Sequence, residues 1–505
     1  MEKQIRTALI SVYHKDGLEE LLSALHSVGV KFISTGGTRS FIEQQGYECM
    51  AVETLTNYPS MLGGRVKTLH PAIFGGILAR REQAEDRAEL AKYRIPDIDL
   101  VIVDLYPFED TVARGGSEEE IIEKIDIGGI SLIRAAAKNF HDVLIVSSRN
   151  QYAGLIELIN RNRGITTLAE RKVYARRAFA CSSAYDSAIF HYFDEGEQYA
   201  FRESFDQPKV LRYGENPHQR GQFFGNFEDY FDKLHGKEVS YNNLQDIDAG
   251  VKLISEFSAP TMAILKHNNA CGCASRGTIL EAWQAALAGD PVSAFGGVFV
   301  ANTAIDTATA AEMDKLFFEV IVAPDYDNEA LQLLTSKKNR IILVQKKPLH
   351  EAWQYRSMLG GVLVQQVDNR TEGAEDFRTV TNKKPTEDET DDMVFANKLV
   401  KHTKSNAITL VKDSQLLASG VGQTSRIDAL RQAIEKARSF HFDLKGAVMA
   451  SDAFFPFDDC VRTAAEAGIS AIVQPGGSKK DQDSIDACNE LGIAMVVTGN
   501  RHFKH

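Results

Sequence analysis

Residues 263–277 read "AILKHNNACGCASRG": an apolar run ends on Lys266 and His267, two asparagines follow, and Cys271 and Cys273 then flank a single glycine. Adjacent Lys and His side chains can act as an acid/base pair when one is desolvated and the other is held by a hydrogen bond. A metal site is the weaker reading. Paired zinc thiolates are spaced by roughly two to four residues and need ligands elsewhere, whereas one residue separates this pair. A plain polar strand end is the third possibility, and the surroundings decide among them.

Other stretches carry groups that hold anions. "STGGT" (34–38) lies between a strand pattern and a helix pattern, where backbone N–H groups, hydroxyls and the helix dipole can hold a phosphate, or where the glycines simply make a tight turn. "GGRVKTLHPAIFGGILAR" (63–80) adds Arg65, Lys67, Thr68 and His70, either anion-binding or a solvated basic loop. "DLYPF" (104–108) follows the run "IDLVIV", so Asp104 and Tyr106 fall at a strand's C-terminal end, where open α/β sheets bind ligands. "KIDIGGISLIRAAAKN" (124–139) sets Asp126 before two glycines and Lys138 one helical stretch later, a spacing that an ion pair also explains. Further on, "LRYGENPHQ" holds Arg212, "VSYNNLQDIDAG" holds Asn242 and Asn243, and "KSNAITL" puts Asn406 before an apolar strand. "SDAFFPFDD" sets Phe454, Phe455 and Phe457 beside carboxylates, which suits a flat hydrogen-bonding heterocycle or an ordinary core.

These residues need elements to position them. "TALISVY" reads as a strand, Leu18, Leu21, Leu22 and Leu25 recur at helical spacing, and "VKFIS" leads into the Gly36–Gly37 pair and a second helix. This is a doubly wound α/β beginning. At the other end "GAVMASD", "ISAIVQPGG" and "IAMVVTG" are strands separated by helices at 461–467 and 484–491. A long helical pattern, "AERKVYARRAFACSSAYDSAIFHYF", precedes the acidic linker "DEGEQYAFRESFDQP", which places the main boundary near 198/199. A second polar stretch, 368–392, is expected to divide the C-terminal portion, and no short-period repeat shows.

A chain of 505 residues exceeds one core, and 44% hydrophobic content fills more than one. No apolar run has the length of a membrane span, and the N-terminus lacks a signal-peptide pattern, so the expected location is the cytoplasm. Six scattered cysteines suit free thiols in a reducing compartment. A net charge of −12 argues against broad binding to nucleic acid and leaves small anions at local basic clusters.

Taken in order, "STGGT", "GGRVKTLHP", "LYPF", "IDIGGISLIRAAAKN", "LRYGENPHQ", "LKHNN", "DPVSAFGG", "KSNAI", "GVGQTSR", "SDAFFPF" and "QPGGS" resemble the bifunctional purine-biosynthesis family that joins AICAR transformylase to IMP cyclohydrolase. The resemblance implies a methylglyoxal synthase-like domain over 1–198 and, over 199–505, two cytidine-deaminase-like α/β units split near 370–392. It lacks the His-x-Glu and Pro-Cys-x-x-Cys elements of zinc deaminases, so no zinc is expected. It implies formyl transfer from 10-formyltetrahydrofolate to AICAR, with His267 as base, Lys266 as proton donor and Asn406 positioning the formyl oxygen. Arg212, Asn243, Glu319, Phe454, Phe457, Asp459 and Arg501 would surround nucleotide and folate. For closure of formyl-AICAR to IMP it implies Lys67 and Tyr106 at the oxyanion, and Asp126 and Lys138 in proton movement. Ser11, Lys15, Ser34, Gly36, Gly37, Thr38, Arg65 and Thr68 would hold the ribose-phosphate. A homodimer is expected, with a monovalent cation such as potassium assigned to no residue.

The chain departs from the family pattern at several places. Asp104 stands for Asn, Ala270 for Pro and Asn397 for Trp, "SVYHKDGL" replaces "SVSDKTGL", and "FFPFRD" reads "FFPFDD" with Asp458. A carboxylate at 104 disturbs an anion site if it faces the anion, and is harmless if a basic group pairs with it. Two other classes of function compete: a nucleotide sensor, since this domain type also serves regulation, and a zinc-dependent hydrolase. The joint presence of Lys67, Tyr106, Asp126 and Lys138 favours catalysis over sensing.

Overall fold

Short apolar runs in the first two hundred residues are buried from both sides, which is why they read as continuous Val, Ile and Leu instead of alternating. In the computed structural model, which describes residues 2–505, five of them form a parallel sheet in the order Cys49–Ala51, Lys31–Ser34, Thr7–Val12, Leu100–Asp104 and Leu144–Val146. Along Thr7–Val12, Ala8 and Ile10 enter one core with Leu18, Leu21, Leu22 and Leu25 of the helix Leu18–Ser27. Leu9 points the other way, into a core with Ile73, Ile77, Leu132 and Ile133. All five strands run the same way, so Val12, Ser34 and Asp104 finish at one edge.

The helix Leu168–Asp194 starts on a capping box between Thr167 and Glu170 and buries the Arg171 guanidinium, which donates to the carbonyls of Phe140, His141 and Thr166. The chain divides into two compact units at Asp206/Gln207, a few residues beyond the expected 198/199. The linker segment stays with the first unit because the Asp194 carboxylate accepts the Gln198 and Tyr199 N–H groups.

The second unit is built on a twelve-stranded sheet whose two halves repeat one order of elements. The first half runs helix Tyr241–Ile254, hairpin Thr261–Lys266 with Asn269–Ser275, helix Ile279–Gly289, then the parallel strands Val298–Ala301, Val320–Ala323 and Ile341–Gln345. The second runs helix Glu387–Lys401, hairpin Ile408–Lys412 with Gln415–Gly420, helix Arg426–Ser439, then Val448–Ser451, Ala471–Gln474 and Ala494–Val497. The halves join where Ala274 pairs with Gln415. No short period marked this repeat because it lies in element order.

Each hairpin turns through two residues with positive φ, His267 (53°) and Asn268 (65°) in one and Asp413 (52°) and Ser414 (50°) in the other, as twist-matched two-residue turns require. An aspartate from the preceding helix caps each turn: Asp246 accepts the Asn268 N–H at 2.6 Å, and Asp392 accepts those of Asp413 and Ser414. The stretch 368–392, expected to divide the halves, comes after the last strand of the first and runs into the opening helix of the second. Its strand Arg378–Thr379 pairs with Ala494–Val497, and its last residues open the helix Glu387–Lys401. "DPVSAFGG" forms the short helix Pro291–Ala294, with the strand beginning only at Val298.

Close helix–strand approach depends on two glycines, one in each half. A Cβ on Gly272 would lie 2.0 Å from the Ala286 carbonyl oxygen, and one on Gly420 would lie 1.8 Å from that of Ala429. Gly420→Ala is expected to destabilise the second unit by about 2–4 kcal/mol, since the obstruction is backbone and cannot rotate away. Gly277→Ala, which would meet only the Glu281 carboxylate at 3.6 Å, is expected to be near neutral. Thermal melting of both variants checks the difference.

Candidate active sites

At the C-terminal edge of the parallel sheet, the segments after four strands and the N-terminus of a helix surround a cavity of about 720 Å³. Ser11, Lys15, Gly37, Thr38, Arg65, Lys67, Thr68, Tyr106 and Asp126 all line it, so the structure brings together most of the residues proposed for this end of the chain. The helix Gly36–Gln44 supplies the unpaired N–H groups of its first turn. Gly36 has φ +53° and would set a Cβ 3.4 Å from the Lys67 ammonium, so the missing side chain leaves room for that lysine. Lys15 donates to the Tyr13 carbonyl, and burial, aided by Lys67, lowers its pKa against the pull of Asp104.

Asp126 sits in the turn before the helix Gly128–Lys138 and accepts the Gly129 N–H at 2.6 Å. Burial raises its pKa, opposed by that bond and by Lys67. The Tyr185 hydroxyl, on the long helix, accepts the Asp126 N–H and donates to the Lys124 carbonyl, fixing the turn from both sides. Nothing in a helical pattern tells which hydroxyl reaches a distant turn, so Tyr185 does not stand out among the residues of the long helix. Burial also raises the Tyr106 pKa, with Asp126 adding to it.

Three assignments differ from expectation. Ser34 is fully buried, with its hydroxyl donating to the Ile10 carbonyl, so it braces the strand and faces no cavity. Thr38 still lines the cavity, while its hydroxyl donates to the Val12 carbonyl and accepts the Val12 N–H. Lys138 is exposed at the far end of the helix whose first turn borders the cavity, so it does not join Asp126 there. Asp104, the carboxylate that stands where the family pattern has Asn, is held by His14: one oxygen accepts the His14 backbone N–H at 2.8 Å and its ring Nδ1 at 2.7 Å. The basic partner is His14, itself a departure from the family pattern.

In the second unit, register gathers the acid/base candidates at one end of the sheet. Leu265 lies opposite Val298, and Val298 beside Val320, so Lys266 and Glu319 reach the same end of the sheet with one strand between them. His267 is exposed at the hairpin turn, and Lys266 donates to the Phe295 carbonyl at 2.8 Å. Asp246 adds a carboxylate beside them; burial raises its pKa while the Asn268 N–H, His267 and Lys266 oppose the rise. It lies in "LQDIDAG", a local pattern that marks no role for it. Asn269 joins the two halves, donating to the His267 carbonyl and accepting the Lys404 N–H at 3.0 Å. That bond brings Asn406 to the same end, where its amide donates to the Gln423 carbonyl and accepts from Arg426 at 2.9 Å. Arg426 in turn pairs with the buried Asp452, which also takes the Ser405 hydroxyl.

The other proposed contacts are mixed. Asn243 is buried in the capping box with Ser240, a structural use, whereas Asn242 is exposed and donates to the Glu215 carbonyl. Glu319 pairs with Lys237. Arg212 is exposed against Tyr213, and Arg501 lies over Phe503. Phe454 and Phe457 are exposed, with Lys480 over Phe457, while Phe455 is core. Asp459 accepts the Cys460 N–H, and Asp458 is paired with Arg462. Asn397 is buried and donates to Glu372, which binds His502 together with Asp368.

The two thiols face apart. Ile264 pairs with Gly272 and Leu265 with Ala270, leaving Cys271 as a bulge. The bulge turns Cys271 into one core and Cys273 into another on the opposite face, and burial pushes the Cys271 pKa up to about 12. The pair cannot share an ion.

The fold and these constellations define a two-unit α/β protein with an anion-binding cavity in one unit and an acid/base strand end in the other. The model of the AICARFT/IMPCHase bienzyme family matches residues 136–436, and that of MGS-like domains matches 17–131. Relatives called bifunctional purine biosynthesis protein PurH include one from Bacteroides thetaiotaomicron, 64% identical over 100% of this chain and 99% of its own length. Others from Aquifex aeolicus and Caldicellulosiruptor saccharolyticus are 45% and 43% identical, each over 99% of this chain and 100% of theirs. The chain belongs to the AICARFT/IMPCHase bienzyme family, with an MGS-like N-terminal domain.

Asp104→Asn is expected to leave cyclisation unchanged or lower and to cost about 1 kcal/mol, because it weakens the bonds to His14 without relieving an unpaired charge. Melting and cyclisation rates from pH 6 to 9 check it. His502 has a pKa of about 9: burial alone would lower it, but Asp368 and Glu372 hold the proton. Its folded pKa lies above the unfolded one, so its contribution is complete below about pH 6.5 and is lost as pH rises through about 9. The melting gap between the parent and His502→Gln is therefore expected to be large at pH 6 and nearly closed at pH 9.5.

Proposed function

We propose that this bienzyme of purine biosynthesis performs formyl transfer in its second unit and ring closure in its first. The supporting observation is the single cavity that gathers Lys67, Tyr106 and Asp126 with the phosphate-type groups Lys15, Arg65, Gly37 and Thr38. In the first reaction the AICAR 5-amino group, a weak nucleophile, attacks the formyl carbon of 10-formyltetrahydrofolate. His267 takes its proton, Lys266 protonates the departing folate nitrogen, and Asn406, fixed by Arg426 and Gln423, positions the formyl oxygen. Asp246, which accepts the Asn268 N–H, fixes the turn that carries the pair.

In the second reaction the carboxamide nitrogen of formyl-AICAR attacks the formyl carbon and water leaves, giving IMP. Lys67 and Tyr106 stabilise the oxyanion. Asp126, raised by burial, moves a proton, and Lys138 has no part in this reading. The helix N-terminus with Lys15 and Arg65 binds the phosphate. The two repeated halves of the second unit follow a cytidine-deaminase-like plan without zinc, a reading supported by the opposed thiols. The protein acts in the cytoplasm as a homodimer, with a monovalent cation such as potassium as a possible activator. The dimer is supported by the hairpin Trp353–Met358 with Gly361–Gln366, which among the described residues pairs with no other strand and exposes Met358, Leu359 and Leu363.

The reading is tested by separating the activities. His267→Ala is expected to lose AICAR formylation by a factor of about 100 to 1,000 while still converting supplied formyl-AICAR to IMP. Lys67→Ala is expected to do the reverse, so that formyl-AICAR accumulates. Loss of both activities in a folded His267→Ala protein would refute the division of labour.

A further inference from the structure

Beside Tyr106 the cavity of the first unit holds two side chains, Tyr13 and Lys124, that the proposed chemistry does not use. Tyr13 and Tyr106 are 41% and 39% exposed and meet edge to face, with centroids 5.5 Å apart and planes at 81°. The Lys124 ammonium lies 5.1 Å from one ring centroid and 5.7 Å from the other. All three line the cavity, and Tyr13 and Tyr106 are the aromatic side chains of its lining. Tyr13 stands where the related pattern "SVSDKTGL" has Ser.

A nucleotide presents unlike ends, a dianionic phosphate and a flat conjugated ring. The helix N-terminus, Lys15 and Arg65 suit the first, and only the Tyr13–Tyr106 surface offers a flat ring the stacking partner it prefers. An ammonium over those rings is attracted by their faces and also lies within reach of a carbonyl on a ring stacked there.

Resting on the cyclohydrolase reading of this cavity, we propose that Tyr13 and Lys124 form its base-recognition element, Tyr13 packing against the substrate's heterocycle and Lys124 facing its carbonyl oxygen. They position the ring and leave the chemistry to Lys67, Tyr106 and Asp126.

The test compares binding of IMP, which has the base, with ribose 5-phosphate, which lacks it, by titration calorimetry on the full chain. Tyr13→Ala is expected to weaken IMP about tenfold and ribose 5-phosphate by less than about twofold; Tyr13→Phe should stay within about twofold of the parent for both. Lys124→Met is expected to weaken IMP alone, by about fivefold. In steady-state cyclisation the Tyr13→Ala loss should appear in KM more than in kcat. Ribose 5-phosphate binding retained by the same preparation reports that the first unit is folded. Equal weakening of both ligands, or of neither, would overturn the assignment. A parent protein that neither binds IMP nor cyclises formyl-AICAR would instead overturn the reading of the cavity beneath it.

Discussion

Backbone that leaves a sheet must find new partners for its N–H groups, since an unpaired buried amide costs as much as a lost hydrogen bond. Acidic side chains meet this need repeatedly in both units. Asp99 accepts the Arg6 and Thr7 N–H groups where a strand begins, Asp104 accepts that of His14 where one ends, and Asp126 accepts that of Gly129 before a helix. Asp246 and Asp392 do the same for the two hairpin turns. Strand ends are also where open sheets bind ligands, so carboxylates needed to finish the backbone stand beside the groups that do chemistry.

That coincidence shapes the electrostatics. The chain carries a net charge of −12, yet the first unit's cavity concentrates Lys15, Arg65, Lys67 and Lys124. Its carboxylates are engaged: Asp104 with His14, Glu123 with Arg65, and Asp126 with the Gly129 N–H. The cavity therefore presents cations to a phosphate while the surrounding acids are tied to protein partners. In the second unit Glu256 is held down to about 2, because burial, which would raise it, is outweighed by His402, Lys401 and Thr371. The segment at 502–504 is tied to the site in the same manner: the His502 N–H donates to the Asp452 carbonyl, and Lys504 and Ser405 exchange bonds.

Much of this was legible in the residues. The doubly wound beginning followed from strand runs alternating with leucines at helical spacing, and Gly36–Gly37 fell at a helix N-terminus as their position after "FIS" implied. Gathering of distant segments followed from motif resemblance, because no local pattern says that residues 11, 67 and 126 meet. What escaped was mostly long-range pairing. Ser34 and Asn243 have the right chemistry for ligands, but a neighbouring strand and a helix cap use it. Lys138 lies one helix length from Asp126, a distance that sequence adjacency conceals. The Asp104–His14 pair joins two departures that looked independent, and the bulge at Cys271 changed which way a thiol faces.

The central claim is that one chain converts AICAR to IMP in two steps. The most direct measurement supplies the purified protein with AICAR and 10-formyltetrahydrofolate, across several monovalent salts, and identifies nucleotide products by mass spectrometry over time. Formyl-AICAR rising first and IMP following, with tetrahydrofolate released in equal amount to total formylated product, is the predicted result. Absence of both formyl-AICAR and IMP in every salt, from protein that melts cooperatively, would contradict it.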